Sequence, residues 1–187
     1  MNNSSLRRTL RQQRRQLNAH TRHHMAFLAS LHLVKLLPHL PRHAKIGLYL
    51  DGFGELPTLP ILAFCQRYGF RPYLPITKAG EPLRFAPCYP NLAKTPLKTH
   101  PLGMQEPRTH AITAHKLHVI ICPLVAVDRQ GNRLGMGGGF YDRTFARTPH
   151  TLKVGWGYHF QWVDKLSVSP WDKGIDMFIS EKGLVRF

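Results

Sequence analysis

Residues 132–143, NRLGMGGGFYDR, concentrate the chemistry-bearing residue types of this chain. Four glycines (Gly135, Gly137, Gly138 and Gly139) fall within five positions and are followed at once by Phe140, Tyr141, Asp142 and Arg143. Glycine backbone is entropically costly to hold in one shape, so such a run implies a shape worth holding. A Gly-rich turn that opens a helix gathers backbone N–H groups around an anion, and Arg133 and Arg143 flank this one. Phosphate is the natural guest; a structural hairpin or bulge is the other reading the residues allow. The loop is not a P-loop, because no Gly-Lys-Ser/Thr closes it. Nor is it a dinucleotide fingerprint, because its spacing is GxGGG and DRQGNRL separates it from the preceding strand.

Asp142 raises the next question. A carboxylate beside a phosphate is repulsive unless a cation bridges them, and Mg²⁺ does so with one or two carboxylates plus phosphate oxygens. Asp172, in SPWDKGID, is a second candidate, with Asp176 four residues on. Turn or capping roles for these aspartates remain open at this level. The twelve histidines show no metal-ligand spacing, and neither a Ser-His-Asp arrangement nor GxSxG is legible. Cys65, Cys88 and Cys122 are odd in number and lack a CxxC pair, which speaks for a reducing compartment and against a disulfide scaffold.

The elements that must position these residues follow from periodicity. At about 100° per residue, Leu6, Leu10 and Leu17 project as one apolar seam, while Arg7, Arg11 and Arg15, widened by Arg8 and Arg14, form a flanking stripe. Five arginines without an interleaved acid repel one another and would welcome an anion; a solvated basic face is the alternative. Met25, Phe27, Leu28, Leu31, Val34 and Leu37 mark a second helix, ended by Pro38 and Pro41. KIGLYL (45–50) reads as a strand, DGFGE as a turn, and 56–68 as a helix with Pro57 and Pro60 in its first turn. FRPYLPI and PLRFAPCY are further strands, and residues 87–114 read as irregular surface or short edge strands. HVIICPLVAV (118–127) has the continuous apolar character of one strand buried on both faces. FYDRTFART reads as helix, and LKVGWGY and DMFISE complete the strands. Strands alternating with helices imply an α/β layered fold with a mainly parallel sheet, in a single domain spanning residues 1–187. Ligands gather at the C-terminal edges of such strands, where DGFGE and GMGGGFYD both fall.

The chain has 187 residues, 43% apolar and 19% charged, which places it among globular proteins, and its apolar runs are too short to cross a bilayer. Lys and Arg total 26 against 10 acids, none of them before Asp51. A net charge of +16 points to an anionic partner: nucleic acid, a nucleotide or a polyanionic metabolite. An RNA-binding module is the rival reading, but single-strand readers set aromatics beside their basic residues, and the arginine helix has none. Another phosphate-ligand enzyme on a similar fold is a further alternative. The Arg-rich N-terminus superficially resembles a mitochondrial transit peptide, yet it runs directly into a helical pattern; the expected location is the cytoplasm.

PLVAVDRQGNRLGMGGGFYDR resembles the signature loop of the 5-formyltetrahydrofolate cyclo-ligase family. RRTLRQQRR, YLDGFGE, LGMQEP, YHFQ and WDKGID follow in the family's order across essentially the whole chain. The resemblance implies a three-layer α/β sandwich that couples ATP hydrolysis, with Mg²⁺, to ring closure of a formylated folate. By the same resemblance Arg7 and Arg11 meet ATP phosphates, within a nucleotide-binding run that includes Arg8, Thr9 and Leu10. Arg133, Leu134, Gly135, Met136, Gly137, Gly138, Gly139, Phe140 and Tyr141 match the nucleotide-binding loop, Met136 to Phe140 also facing the folate. Leu50 and Glu55 match positions lining the folate pocket, and Asp142 and Asp172 match the magnesium carboxylates. Arg7 stands where lysine is commoner and Phe140 where tyrosine is commoner. No nucleophilic side chain is implied: positioning and charge neutralisation carry such chemistry, with Arg133, Arg143 and Mg²⁺ meeting the transition-state charge. The expected partners are ATP and a small-molecule folate, with the protein a monomer that engages neither specific nucleic acid nor membrane.

Overall fold

The computed structural model describes residues 2–100, 103 and 105–187, so Leu102 and Met104 of the LGMQEP motif lie outside the described residues. Four α-helices occur in chain order: α1 (Asn3–Gln16), α2 (Ala19–Ser30), α3 (Leu59–Tyr68) and α4 (Phe140–Phe145). The strands are β1 (Lys45–Gly47), β2 (Arg71–Ile76), β3 (Arg84–Pro87), β4 (Leu97–Thr99), β5 (Gln105–Pro107), β6 (Ile112–Thr113) and β7 (Val119–Cys122). They continue with β8 (Ala126–Asp128), β9 (Arg133–Leu134), β10 (Leu152–Trp156), β11 (Trp162–Val163), β12 (Met177–Ser180) and β13 (Gly183–Arg186). The main sheet runs β13-β12-β10-β7-β1-β2-β3-β6; its five inner strands are parallel, and the pairs toward either edge are antiparallel. This is the mainly parallel α/β arrangement expected from the strand–helix alternation.

Side-chain alternation along β7 creates the layers. Val119 and Ile121 pack on one face with Ala26 and Ala29 of α2 and Ile61 and Leu62 of α3. Ile120 and Cys122 pack on the other with Phe145 of α4 and Val127 of β8. On that second side, β11, β8 and β9 form a small sheet. Helix α1 docks on it through Leu10, which is buried with Val125, Ala126, Leu134 and Leu166. Asn2 and Asn18 cap α1 and α2 by accepting from Ser5 N and Thr21 N.

Several details differ from the sequence expectation. The apolar run 118–127 is two strands in two sheets, because Pro123 lacks an N–H and ends β7 before β8 begins. The short strands β9, β11 and β13 are additions to the expected set, and α3 begins at Leu59, so Pro57 lies ahead of the helix. In the second helical region the core takes Ala26, Ala29, Leu33 and Leu36, leaving Phe27, Leu31 and Val34 exposed, and the segment past Ser30 tightens to a 3₁₀ helix over Leu33–His39. Arg14 does not join the solvated stripe: it is fully buried. The three cysteines are buried free thiols, each pushed up to about 12 by burial and so chemically quiet.

Candidate active site

A cavity of about 1240 Å³ opens where the loops leave the C-terminal ends of β1, β2 and β7. That exceeds the roughly 300–1,000 Å³ usual for one small ligand and leaves room for two. It brings together Arg7 from α1, the loop after β1 with Leu50 and Glu55, the glycine loop after β9, and the carboxylates Asp142 and Asp172.

The glycine loop is held from several sides. Arg7 Nε donates to Gly135 O at 2.9 Å, fastening α1 to the loop. Arg143 Nη2 donates to Gly138 O at 2.8 Å, and its guanidinium lies 5.2 Å from the Phe140 ring centroid. Gly139, at φ 65°, caps α4 in the left-handed region, where a Cβ would come within 2.6 Å of Arg143 Nη1. Behind the loop, buried Asp128 accepts from Gln130 N, Asn132 N, Asn132 Nδ2 and Leu166 N. Burial works against its charge, but these donors outweigh it and hold the carboxyl below its usual range. Asp128 thereby ties the entry to the glycine loop to the segment that leads to Asp172.

Arg133 is almost wholly buried and makes a 2.8 Å ion pair with Asp142 Oδ1, its guanidinium also near the Tyr141 and Phe145 rings. Lys173 N donates to the same Oδ1 at 3.2 Å, which brings the chain beside Asp172 to Asp142. Asp172 Oδ2 accepts from Ser169 N at 2.8 Å. Oδ2 of Asp142 and Oδ1 of Asp172 have no hydrogen-bond partner among the described residues. Two half-used carboxylates on one cavity wall suit a hard divalent cation completed by phosphate oxygens, which needs few protein ligands.

The loop after β1 carries Glu55. Burial pushes its carboxyl up to about 7, against Arg14 and the Gly52 N–H, which favour the charged form, while Asp51 adds to the rise. Arg14 donates to Leu124 O at 3.2 Å and Phe53 O at 3.4 Å, joining α1 to the loops after β1 and β7. Gly54, at φ 76°, is in the left-handed region, and a Cβ there would lie 3.1 Å from the Arg14 backbone, a tight contact. Tyr158 Oη bonds Gly54 O and Glu55 O.

Of the expected site residues, Arg7, Leu50, Glu55, Arg133 to Tyr141, Asp142, Arg143 and Asp172 line the cavity. Arg8 and Thr9 face solvent, Leu10 is in the core, and half-buried Arg11 does not line the cavity. Sequence reasoning missed Tyr49, Thr77, Glu106 and Lys173 on the wall, and Arg14 behind it. A signal existed for Arg14: at about 100° per residue it sits about 40° from Leu10, beside the apolar seam.

The family model described as the 5-formyltetrahydrofolate cyclo-ligase family matches residues 1–181. The 5-formyltetrahydrofolate cyclo-ligase of Escherichia coli K12 is 36% identical over 171 residues, covering 87% of this chain and 91% of that protein. The Haemophilus influenzae protein of the same name is 33% identical over 175 residues, covering 89% and 91%. The solution structure of Aquifex aeolicus 5,10-methenyltetrahydrofolate synthetase superposes with a TM-score of 0.83 at 28% identity, covering 100% of this chain and 93% of that one. A Mycoplasma pneumoniae synthetase at 24% identity and TM-score 0.77 shares the fold.

Proposed function

Because this chain belongs to the 5-formyltetrahydrofolate cyclo-ligase family, we propose that it uses Mg²⁺-ATP to cyclise 5-formyltetrahydrofolate to 5,10-methenyltetrahydrofolate, releasing ADP and phosphate. The observation that carries this reading is one cavity with two unlike regions. A phosphate-suited region combines glycine-loop N–H groups, Arg7, Arg133 and two carboxylates; a more apolar region is bounded by Tyr49, Leu50, Pro75 and Leu83.

The formyl group on N5 is amide-like and resists attack by the neighbouring N10. Transfer of the γ-phosphoryl group to the formyl oxygen makes an imidate-like phosphate with a far better electrophilic carbon. N10 then forms the new C–N bond, the C–O bond breaks, phosphate leaves with the former formyl oxygen, and N10 loses its proton. The protein's share is positioning and charge neutralisation. Arg7 holds the glycine loop against α1, and Arg143 orients its carbonyl face. Arg133 keeps Asp142 in place. Asp142 and Asp172 would hold the magnesium ion, which supplies charge neutralisation between phosphate oxygens. No side-chain nucleophile is needed.

Incubating the protein with Mg²⁺, ATP and 5-formyltetrahydrofolate tests the proposal through the near-ultraviolet absorbance of the methenyl product. Product is expected only when all three are present. Equal product formation without ATP refutes the ligase mechanism.

A further inference from the structure

One part of the cavity wall has its own chemistry. It is formed by the C-terminal end of β2, the turn before β3, and β5, through Pro75, Thr77, Leu83, Gln105 and Glu106. Among the described residues no Lys or Arg lines it, although the chain carries a net charge of +16. The cations that line the cavity come from α1, β9, α4 and the residue after Asp172.

Glu106 is 2% exposed yet lines this wall. Its Oε1 accepts from Thr77 N at 2.7 Å and from the Thr77 hydroxyl. Its Oε2 has no hydrogen-bond partner and no ion-pair partner among the described residues. A buried carboxylate is costly unless both oxygens are satisfied. One oxygen is anchored by the protein; the other waits for a donor supplied from the cavity.

We propose that Glu106 receives the hydrogen-bond donor edge of the substrate ring, the 2-amino group and N3–H of a pterin, through Oε2. This rests on the folate reading above and adds the residue that fixes which way the ring enters. With the donor edge at the β2–β5 wall, the far ring, which carries N5 and its formyl group, points away from Glu106 into the cavity. A ring turned end for end would offer Glu106 no such pair of donors, so the same contact selects orientation.

Glu106→Gln isolates the contact. The amide oxygen can still accept both Thr77 bonds, while the cavity-facing atom changes from acceptor to donor. The KM for 5-formyltetrahydrofolate is expected to rise about tenfold or more, because a donor would then face donors. The KM for ATP should stay within about twofold, and the melting temperature without ligands within about 2 °C. Wild-type protein should lose a comparable factor on a 2-desamino analogue of the substrate, to which the variant should be nearly indifferent. Unchanged folate KM in Glu106→Gln overturns the proposal. So does a wild type indifferent to the desamino analogue, a test that holds even if the variant does not fold. Equal increases in both KM values with a lowered melting temperature would make Glu106 a brace for Thr77 and also overturn it. A wild type with no folate turnover would instead refute the cyclo-ligase reading on which this rests.

Discussion

Replacing Glu55 by glutamine should flatten the pH dependence of stability, and the size of the effect follows from burial. In the folded protein the carboxyl is raised from an ordinary 4.5 to about 7, chiefly by burial. At about 1.36 kcal/mol per pH unit, that rise corresponds to about 3 kcal/mol. The sign follows from proton binding. Below 4.5 the carboxyl is protonated in both states and no penalty exists. Between 4.5 and 7 the unfolded chain ionises first, so the folded state binds more protons and stability falls as pH rises. Above 7 the full penalty is present. From pH 5 to pH 8 this one group should remove about 2.5 kcal/mol from wild-type stability. Glu55→Gln keeps an acceptor for Gly52 N but has nothing to ionise. It also removes the attraction to Arg14, which exists only while Glu55 is ionised and is already contained in the value of about 7, so the comparison reads the whole titration of Glu55. Urea denaturation of both proteins at pH 5 and pH 8 reads the difference of differences directly. A value below about 1 kcal/mol would refute the assignment of Glu55 as a half-buried group that ionises near neutral pH.

Three further outcomes are expected. In a magnesium titration, Asp142→Asn and Asp172→Asn should each need more Mg²⁺ for half-maximal activity, with non-additive effects, while Asp164→Asn, which among the described residues pairs only with the exposed Arg129, should match wild type. Only Asp142→Asn should also lower the ligand-free melting temperature, because it leaves the buried Arg133 guanidinium without its counter-charge; unchanged metal demand in both variants refutes the metal assignment. Arg7→Ala should weaken apparent ATP affinity about ten- to hundredfold, the value of about 1.5–3 kcal/mol for a charge-assisted bond, whereas exposed Arg8→Ala should not; equal ATP KM values in both refute the role of Arg7. Gly139→Ala should cost about 1 kcal/mol of stability and displace Arg143, raising the KM for ATP more than Gly138→Ala, since only Gly139 of this pair has a left-handed backbone. Identical nucleotide kinetics in the two glycine variants would show that loop shape is not the determinant.

Much of the architecture was legible because it is written in local periodicity. The all-apolar 119–122 strand, the Gly-to-aromatic break before α4 and the Leu6–Leu10–Leu17 seam each carry their own period or breaker. Local preference suffices to state what such segments become. The glycine loop and the following aspartate were also recognisable as an anion and metal candidate, since backbone freedom and charge type are properties of the residues themselves. Which face of a helix is inside was less legible. In the second helical region hydrophobicity alone favours Phe27 and Leu31 for the core, yet close packing on the sheet takes the small residues Ala26 and Ala29. Charge type groups Arg14 with its neighbours, whereas its angle on the helix puts it inward, and the loops after β1 and β7 supply the carbonyls that make a buried guanidinium tolerable. Thr77 and Glu106 lie 29 residues apart, and nothing local in either links them. Their meeting, like that of Asp142 with the chain beside Asp172, depends on β2 and β5 or α4 and a C-terminal segment arriving at the same sheet edge. The sequence by itself therefore determined the elements and the kinds of chemistry they carry. The tertiary structure alone decided which oxygens are already satisfied and which are left facing the cavity, because hydrogen-bond satisfaction is settled by groups that packing brings together from distant parts of the chain.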